Sequence, residues 1–442
     1  MQLMGSFSVL KDKLLSFLKR KWSEISQDRF FKNAITLISG AGLAQVLPLL
    51  ILPIVSRFYH PEDYALLAGY SSIVVILGPL STGMYHYAIV TDKTERKASN
   101  TFCLAFLILA SFTVLSAIVI FAFGDHIAKY FNKQISFWLY FIPLTIFFQG
   151  FYQILYMWQT RLAKFRVLAL SKMVLSGIMA VSTLCFGFFN LGGAGLLISQ
   201  LIGQSLAMIV LLVPTVRYKG NLVKLVSVSE MTKSLKRHSD FPKFNMPQSF
   251  TDGIKESSLI WIISNFFGST ALGSFSFART VIFGPLQIVG GAVGEVFYQN
   301  ANAVGEKSEL IYLTKKIFLN LCLFGLPLLI IFPFFGDKLF ETFFGNKWTN
   351  AGAFSGILIF WLYLRFVSSP LSIIPIVLKK QKPYFVIGLM VNFIPILFFY
   401  VAGLYGFTVN NALYTFTTVS CITLLFFFVW IYYLLKINND KY

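Results

Sequence analysis

The chain has 442 residues, 56% of them hydrophobic and only 12% charged, with a formal net charge of +19. A soluble domain carries about a quarter charged residues, so this composition excludes a water-facing globular surface. In a soluble chain such a charge would point to nucleic acid; here its placement decides, because cytoplasmic loops of membrane proteins collect Lys and Arg.

The apolar residues form continuous blocks of 20 or more, the length a helix needs to cross a hydrocarbon core of roughly 30 Å. They do not alternate with polar residues, so they predict helices rather than barrel strands. In residues 1–33, Leu3, Phe7, Leu10, Leu14, Phe17 and Leu18 recur at helical spacing among Lys11, Lys13, Lys19, Arg20 and Lys21. That pattern suits an amphipathic helix in the inner interface, or an ordinary solvated helix, and no cleavable signal is expected. Spans follow at 34–56, 64–90, 99–123, 135–157, 167–189 and 194–213. A hydrophilic stretch, 214–244, separates them from spans at 245–267, 271–298, 313–335, 351–378, 384–402 and 408–435, before a tail at 436–442. The expectation is an all-α integral membrane protein of 12 transmembrane helices. They form an N-lobe (34–213) and a C-lobe (245–435) around a central cavity, joined by a cytoplasmic linker.

With both termini cytoplasmic, the inner segments hold 28 of the 37 Lys and Arg, the outer segments 5, and the spans 4. That alternation supports orientation and span count together and accounts for most of the net charge; no nucleic-acid partner is expected. Tryptophans 138, 158, 348 and 430 lie near span ends and read as an aromatic belt. Gly78-Pro79-Leu80 in span two is echoed by Gly284-Pro285-Leu286 in span eight, which agrees with a transporter made of two similar bundles.

No zinc-protease motif, nucleophile elbow or phosphate-cradling glycine loop occurs, and Cys103, Cys185, Cys322 and Cys421 lack metal or redox spacing. Neither an enzyme nor a cofactor or metal site is expected. The informative residues are ionisable groups inside spans, which are costly unless they face a wet cavity or a partner. In span seven, Gln248, Asp252, Lys255 and Glu256 share one helical face. Arg279 and Arg365 lie some nine and fourteen residues into their spans from outside, about 13–21 Å deep at about 1.5 Å per residue. Lys255, Arg279 and Arg365 are read as a cationic lining suited to a phosphate-bearing anion. The alternative is separate structural salt bridges, for example to Glu295 or Asp252. Glu295 and His86 are further candidates for titration or polar lining, with packing the competing role for His86. Arg57 and Lys172, near span ends, are candidates for the substrate's route in, with loop solvation and snorkelling as the ordinary roles.

Leu52-Pro53-Ile54-Val55-Ser56-Arg57-Phe58-Tyr59-His60-Pro61-Glu62-Asp63-Tyr64 resembles the first-loop signature of the O-antigen flippases and polysaccharide exporters of the multidrug/oligosaccharidyl-lipid/polysaccharide exporter superfamily. Phe277-Ala278-Arg279-Thr280 through Gly284-Pro285-Leu286 to Val296-Phe297-Tyr298-Gln299 is similar to that family's span-eight pattern. Tyr85-His86-Tyr87-Ala88-Ile89-Val90 resembles a family segment in which His86 here replaces a Glu. The resemblance implies two six-helix lobes in a bacterial inner membrane. It implies alternating access that moves an undecaprenyl-diphosphate-linked oligosaccharide to the periplasmic leaflet, with Lys255, Arg279 and Arg365 facing the headgroup. The expected partners are that lipid-linked substrate, membrane lipids and polysaccharide assembly proteins. The rival readings are a drug or cation antiporter, a membrane glycosyltransferase or polymerase, and a lipid II flippase.

Overall fold

The computed structural model describes residues 46–129, 135–218, 225–303, 307–378 and 380–437. The amphipathic segment 1–33, the first part of span one and residues 438–442 of the tail lie outside the described residues. The described residues are mainly helical, and no strand occurs among them.

In the first half, α1 (Val46–Phe58) turns sharply into α2 (Pro61–Ser81) and α3 (Tyr85–Thr91). Then come α4 (Glu95–Lys129), the short α5 (Ser136–Leu139), α6 (Ile142–Arg161), α7 (Phe165–Phe188) and α8 (Gly192–Val216). The linker carries α9 (Val228–Arg237). The second half holds α10 (Met246–Ala303), α11 (Lys307–Phe344), α12 (Thr349–Leu371), the short α13 (Ile374–Val377), α14 (Gln381–Leu404) and α15 (Val409–Ile437). Nine helices among the described residues are long and apolar enough to cross a membrane.

One predicted span and one predicted loop differ from the structure. The expected span 64–90 is broken between α2 and α3, where Gly83 and Met84 take φ of 54° and 60°. The expected loop between spans seven and eight is absent. Instead α10 continues from one arm to the next through Gly268 alone, at φ 83° and ψ 177°. That backbone region is essentially confined to glycine, and the space beside Gly268 is empty. Gly268→Ala therefore meets no steric neighbour but strains the backbone by about 1–3 kcal/mol. The expected result is a lower unfolding temperature in scanning fluorimetry with unchanged membrane insertion.

The two halves meet chiefly where α10 packs along α2. The backbones come close: Ser257 donates its hydroxyl to Ser72 O at 2.8 Å, and Gly253 faces the Val75 carbonyl. At Gly273 a Cβ would overlap the Pro61 carbonyl outright. Gly273→Ala must push α2 away, an overpacking cost of about 1–3 kcal/mol. It should reduce folded protein in the membrane, whereas Gly291→Ala, with open space beside it, should not. Around this seam the first half gathers a core from Tyr70 to Leu197. The second half gathers a larger one that also takes in Val55, Tyr59, Tyr64 and Ala65 of the α1–α2 corner.

The linker is tied down by a residue the charge census passed over. Asp92, almost wholly buried, accepts from Thr101 Oγ1 at 2.6 Å, pairs with Arg237 Nη1 at 3.2 Å and lies 3.1 Å from His238 Nε2. The aromatic belt needs correction at two of four places: Trp158 and Trp348 are fully buried. Trp348 stacks on Phe277 at 3.8 Å and donates its indole N–H to Ser56 O at 2.9 Å, so it is a keystone between helices rather than an interfacial anchor.

Candidate functional site

The polar face of the first arm of α10 is divided by its neighbours. Glu256 turns towards the second arm, where Arg279 Nη2 donates to its Oε2 at 2.5 Å. Its other oxygen lies 3.6 Å from Nη2 of Arg365 on α12. One carboxylate is thus shared by two guanidinium groups brought from different helices, and all three side chains remain 25–30% exposed. Lys255, one residue earlier, is more enclosed at 13% and lies 3.9 Å from Asp252 Oδ1. With three cations and two carboxylates, the cluster keeps one positive charge in excess.

The cluster stands between two cavities. The larger, of about 720 Å³, is lined by Gln248, Asp252, Lys255 and Arg365, and by residues of α14 and α15. The smaller, of about 430 Å³, is lined by Glu256 and Arg279 and bounded by α2. Phe283 and Gln287 line both, and the Arg365 guanidinium lies 6.0 Å from the Phe283 ring centre, within reach of a cation–π attraction. Hydroxyl and amide groups sequence reasoning did not single out, Ser368, Ser369, Ser372 and Asn392 among them, complete the larger wall with Tyr384 and Phe427. Ser368 and Ser369, one turn after Arg365, were the available signal for them.

The structure therefore joins Gln248, Asp252, Lys255, Glu256, Arg279 and Arg365. It does not bring in the remaining candidates. Glu295 is exposed on α10 and lines neither cavity, so Arg279 pairs with Glu256 instead. His86 is buried beside Thr82, whose Oγ1 is 2.7 Å from its Nδ1, and lines neither cavity. Lys172 lies 5.4 Å from the Tyr156 ring centre, outside both cavities. Arg57 is exposed and lines neither cavity; its Nη2 donates to Thr342 O at 2.8 Å at the end of α11.

The family model described as "Polysaccharide biosynthesis protein" matches residues 54–353. The chain belongs to that family. No curated protein matches it significantly in sequence. Among solved structures it is similar to the lipid II flippase MurJ in an inward closed conformation, at TM-score 0.68 and 14% identity, over 91% of this chain and 90% of that one. It is similar to a MATE protein in complex with MaL6, at TM-score 0.61 and 12% identity over 92% and 96%. It is also similar to a MOP superfamily transporter from Pyrococcus furiosus, at TM-score 0.55 and 12% identity over 93% and 96%. At such identities the likeness concerns the fold: this polysaccharide biosynthesis family member has a MurJ- and MATE-like transporter fold. The family match includes Arg57, Lys255, Glu256 and Arg279 but ends before Arg365, and before α14 and α15. The larger cavity is thus walled in part by residues beyond the matched region.

Proposed function

We propose that the protein flips an undecaprenyl-diphosphate-linked oligosaccharide, of the O-antigen repeat-unit kind, from the cytoplasmic to the periplasmic leaflet of the inner membrane. The observation that carries this reading is the shared Glu256 between Arg279 and Arg365, with Lys255 beside it, at the boundary of two cavities. A diphosphate can take the place of Glu256 on both guanidinium groups, which suit bidentate phosphate recognition. The hydroxyl and amide wall next to Arg365 suits sugar hydroxyls, and the prenyl chain stays in lipid.

Twelve spans remain our count: the two arms of α10 cross separately, and α1 and α6 are spans as well. The two lobes then move against each other about α2 and α10, with both termini cytoplasmic, as an alternating-access cycle needs. A drug or cation antiporter would call for uncompensated acid, whereas both oxygens of Glu256 face guanidinium groups.

Complementation of a bacterium lacking its own O-antigen flippase tests the reading. Wild-type protein, expressed with its native glycan pathway, is expected to restore surface polysaccharide. Failure to do so at normal membrane abundance would remove the proposal.

A further inference from the structure

Away from both cavities, α11 and α15 each pack on α12 and touch one another only lightly, leaving a groove of about 400 Å³ between them. Its floor is Leu371 of α12, and Ile431 and Leu435 of α15 form one wall; all three are buried. Phe318 of α11 meets Phe428 of α15 edge to face, with ring centres 5.6 Å apart, and closes one end. Thr314 offers the groove no free hydroxyl, since it donates to Leu310 O at 2.7 Å. Between the lysines the lining is therefore mainly apolar, with Tyr432 as its other polar side chain among the described residues.

The rim is different. Lys315 comes from α11 and Lys436 from α15, both exposed, both lining the groove, and neither with an ion-pair partner among the described residues. No acidic residue lines it. Helical register explains the arrangement: Ile311, Lys315 and Phe318 share one face of α11, and Phe428, Ile431, Tyr432, Leu435 and Lys436 share one face of α15. Lys315 stands beside Lys316 near the start of α11 and Lys436 in the last turn of α15, ends that the charge distribution assigns to the cytoplasm.

We infer that this groove is a binding site for an anionic glycerophospholipid of the inner leaflet. Its phosphate sits between Lys315 and Lys436, and one acyl chain lies against Ile431 and the Phe318–Phe428 pair. Charge complementarity selects this occupant: two unneutralised ammonium groups at the mouth of an apolar slot fit one phosphodiester on a hydrocarbon tail. Leu371 follows Arg365 by less than two turns on α12, so the lipid bears on the helix that carries one of the larger cavity's cations. The site stands independently of the transport reading.

Native mass spectrometry of the full-length protein in detergent, titrated with phosphatidylglycerol or phosphatidylcholine, tests it. Wild-type protein should retain phosphatidylglycerol in preference. Lys315→Gln/Lys436→Gln should weaken that retention by roughly tenfold or more, since each basic residue near an anionic lipid contributes up to about a factor of five, and should leave phosphatidylcholine unchanged. Ile431→Trp, which fills the slot and keeps both lysines, should also lose phosphatidylglycerol. An unfolding temperature unchanged in lipid-free detergent marks both variants as folded, and the lysine pair alone suffices if the tryptophan variant is not. Equal retention of the two lipids by wild type, or undiminished phosphatidylglycerol binding by the lysine variant, overturns the site. So does displacement of the phospholipid by an equal amount of a short prenyl diphosphate, which would make the groove a substrate site.

Discussion

Arg279→Ala and Arg365→Ala should each lower transport of the diphosphate-linked substrate by about ten- to a hundredfold, the equivalent of one charge-assisted hydrogen bond of about 1.5–3 kcal/mol. Lysine at either place should rescue only in part, because it keeps the charge and loses the planar fork. The informative variant is Glu256→Gln. In the resting protein Glu256 occupies both guanidinium groups, so an arriving diphosphate must displace it. Removing its charge removes the competitor. Binding of a prenyl diphosphate probe should become tighter, while turnover falls because the same competitor no longer helps release the product. The cluster is 25–30% exposed, so the loss of folding stability should stay below the roughly 3–5 kcal/mol of a broken, fully buried pair. Calorimetric titration of the purified variant, beside polysaccharide export in cells, separates the two effects. If Glu256→Gln binds no tighter and exports normally, the carboxylate is structural and the two arginines do not receive the phosphate.

The cations of this site could be read from the sequence because charge inside an apolar run is so costly that it stands out. Their partner could not. Arg279 lies 23 residues from Glu256, and Arg365 comes from another helix, so no local spacing announces that one carboxylate serves both. The same limit hid the role of Asp92, whose partners Arg237 and His238 lie some 145 residues away. Helix type and order were legible from hydrophobic length alone. The break at Gly83–Met84 and the passage through Gly268 depend on single backbone angles, which hydropathy does not register. Trp158 and Trp348 show a converse error: both are near helix ends, where an amphipathic ring is usually an interfacial anchor, but tertiary packing encloses them completely.

Arg57→Ala should make the cavity accessible from the outer side, with a Cys at position 276 labelled by a membrane-impermeant thiol reagent at least about fivefold faster. The last carbonyls of a helix lack intrahelical donors and carry negative partial charge, and at the end of α11 the Arg57 guanidinium supplies donors to Thr342 O at 2.8 Å and Phe343 O at 3.4 Å. Ser56 Oγ donates to Phe344 O at 3.2 Å, and Lys347 Nζ returns a bond to Arg57 O at 2.9 Å. Burial pulls the Lys347 ammonium below its usual pKa; Asp63 opposes this and Arg57 adds to it. Glu62 pairs with Thr270, just past the Gly268 passage. Ser56, Arg57 and Glu62 of the motif from Leu52 to Tyr64 thus hold the α1–α2 corner against α10, α11 and Trp348 of the second half, whereas Tyr59 donates to Thr183 O and Asp63 accepts from the Gly193 N–H within the first half. In the proposed cycle that corner separates from them when the cavity opens outward. Losing one charge-assisted contact of about 1.5–3 kcal/mol shifts the closed-to-open ratio by about ten- to a hundredfold in the limit where every closed molecule makes it, so a fivefold rise in labelling is a conservative expectation. Ser276 lines the smaller cavity beside Tyr64, and Tyr64 meets Trp348 edge to face at 5.2 Å, so the probe position lies next to the corner. The measurement needs a background in which Cys103, Cys185, Cys322 and Cys421 are replaced, since Cys185 is exposed. Unchanged labelling in Arg57→Ala, with normal abundance, would make Arg57 a helix cap with no part in gating. Raised labelling with reduced export would make the corner the outer latch of the transport cycle.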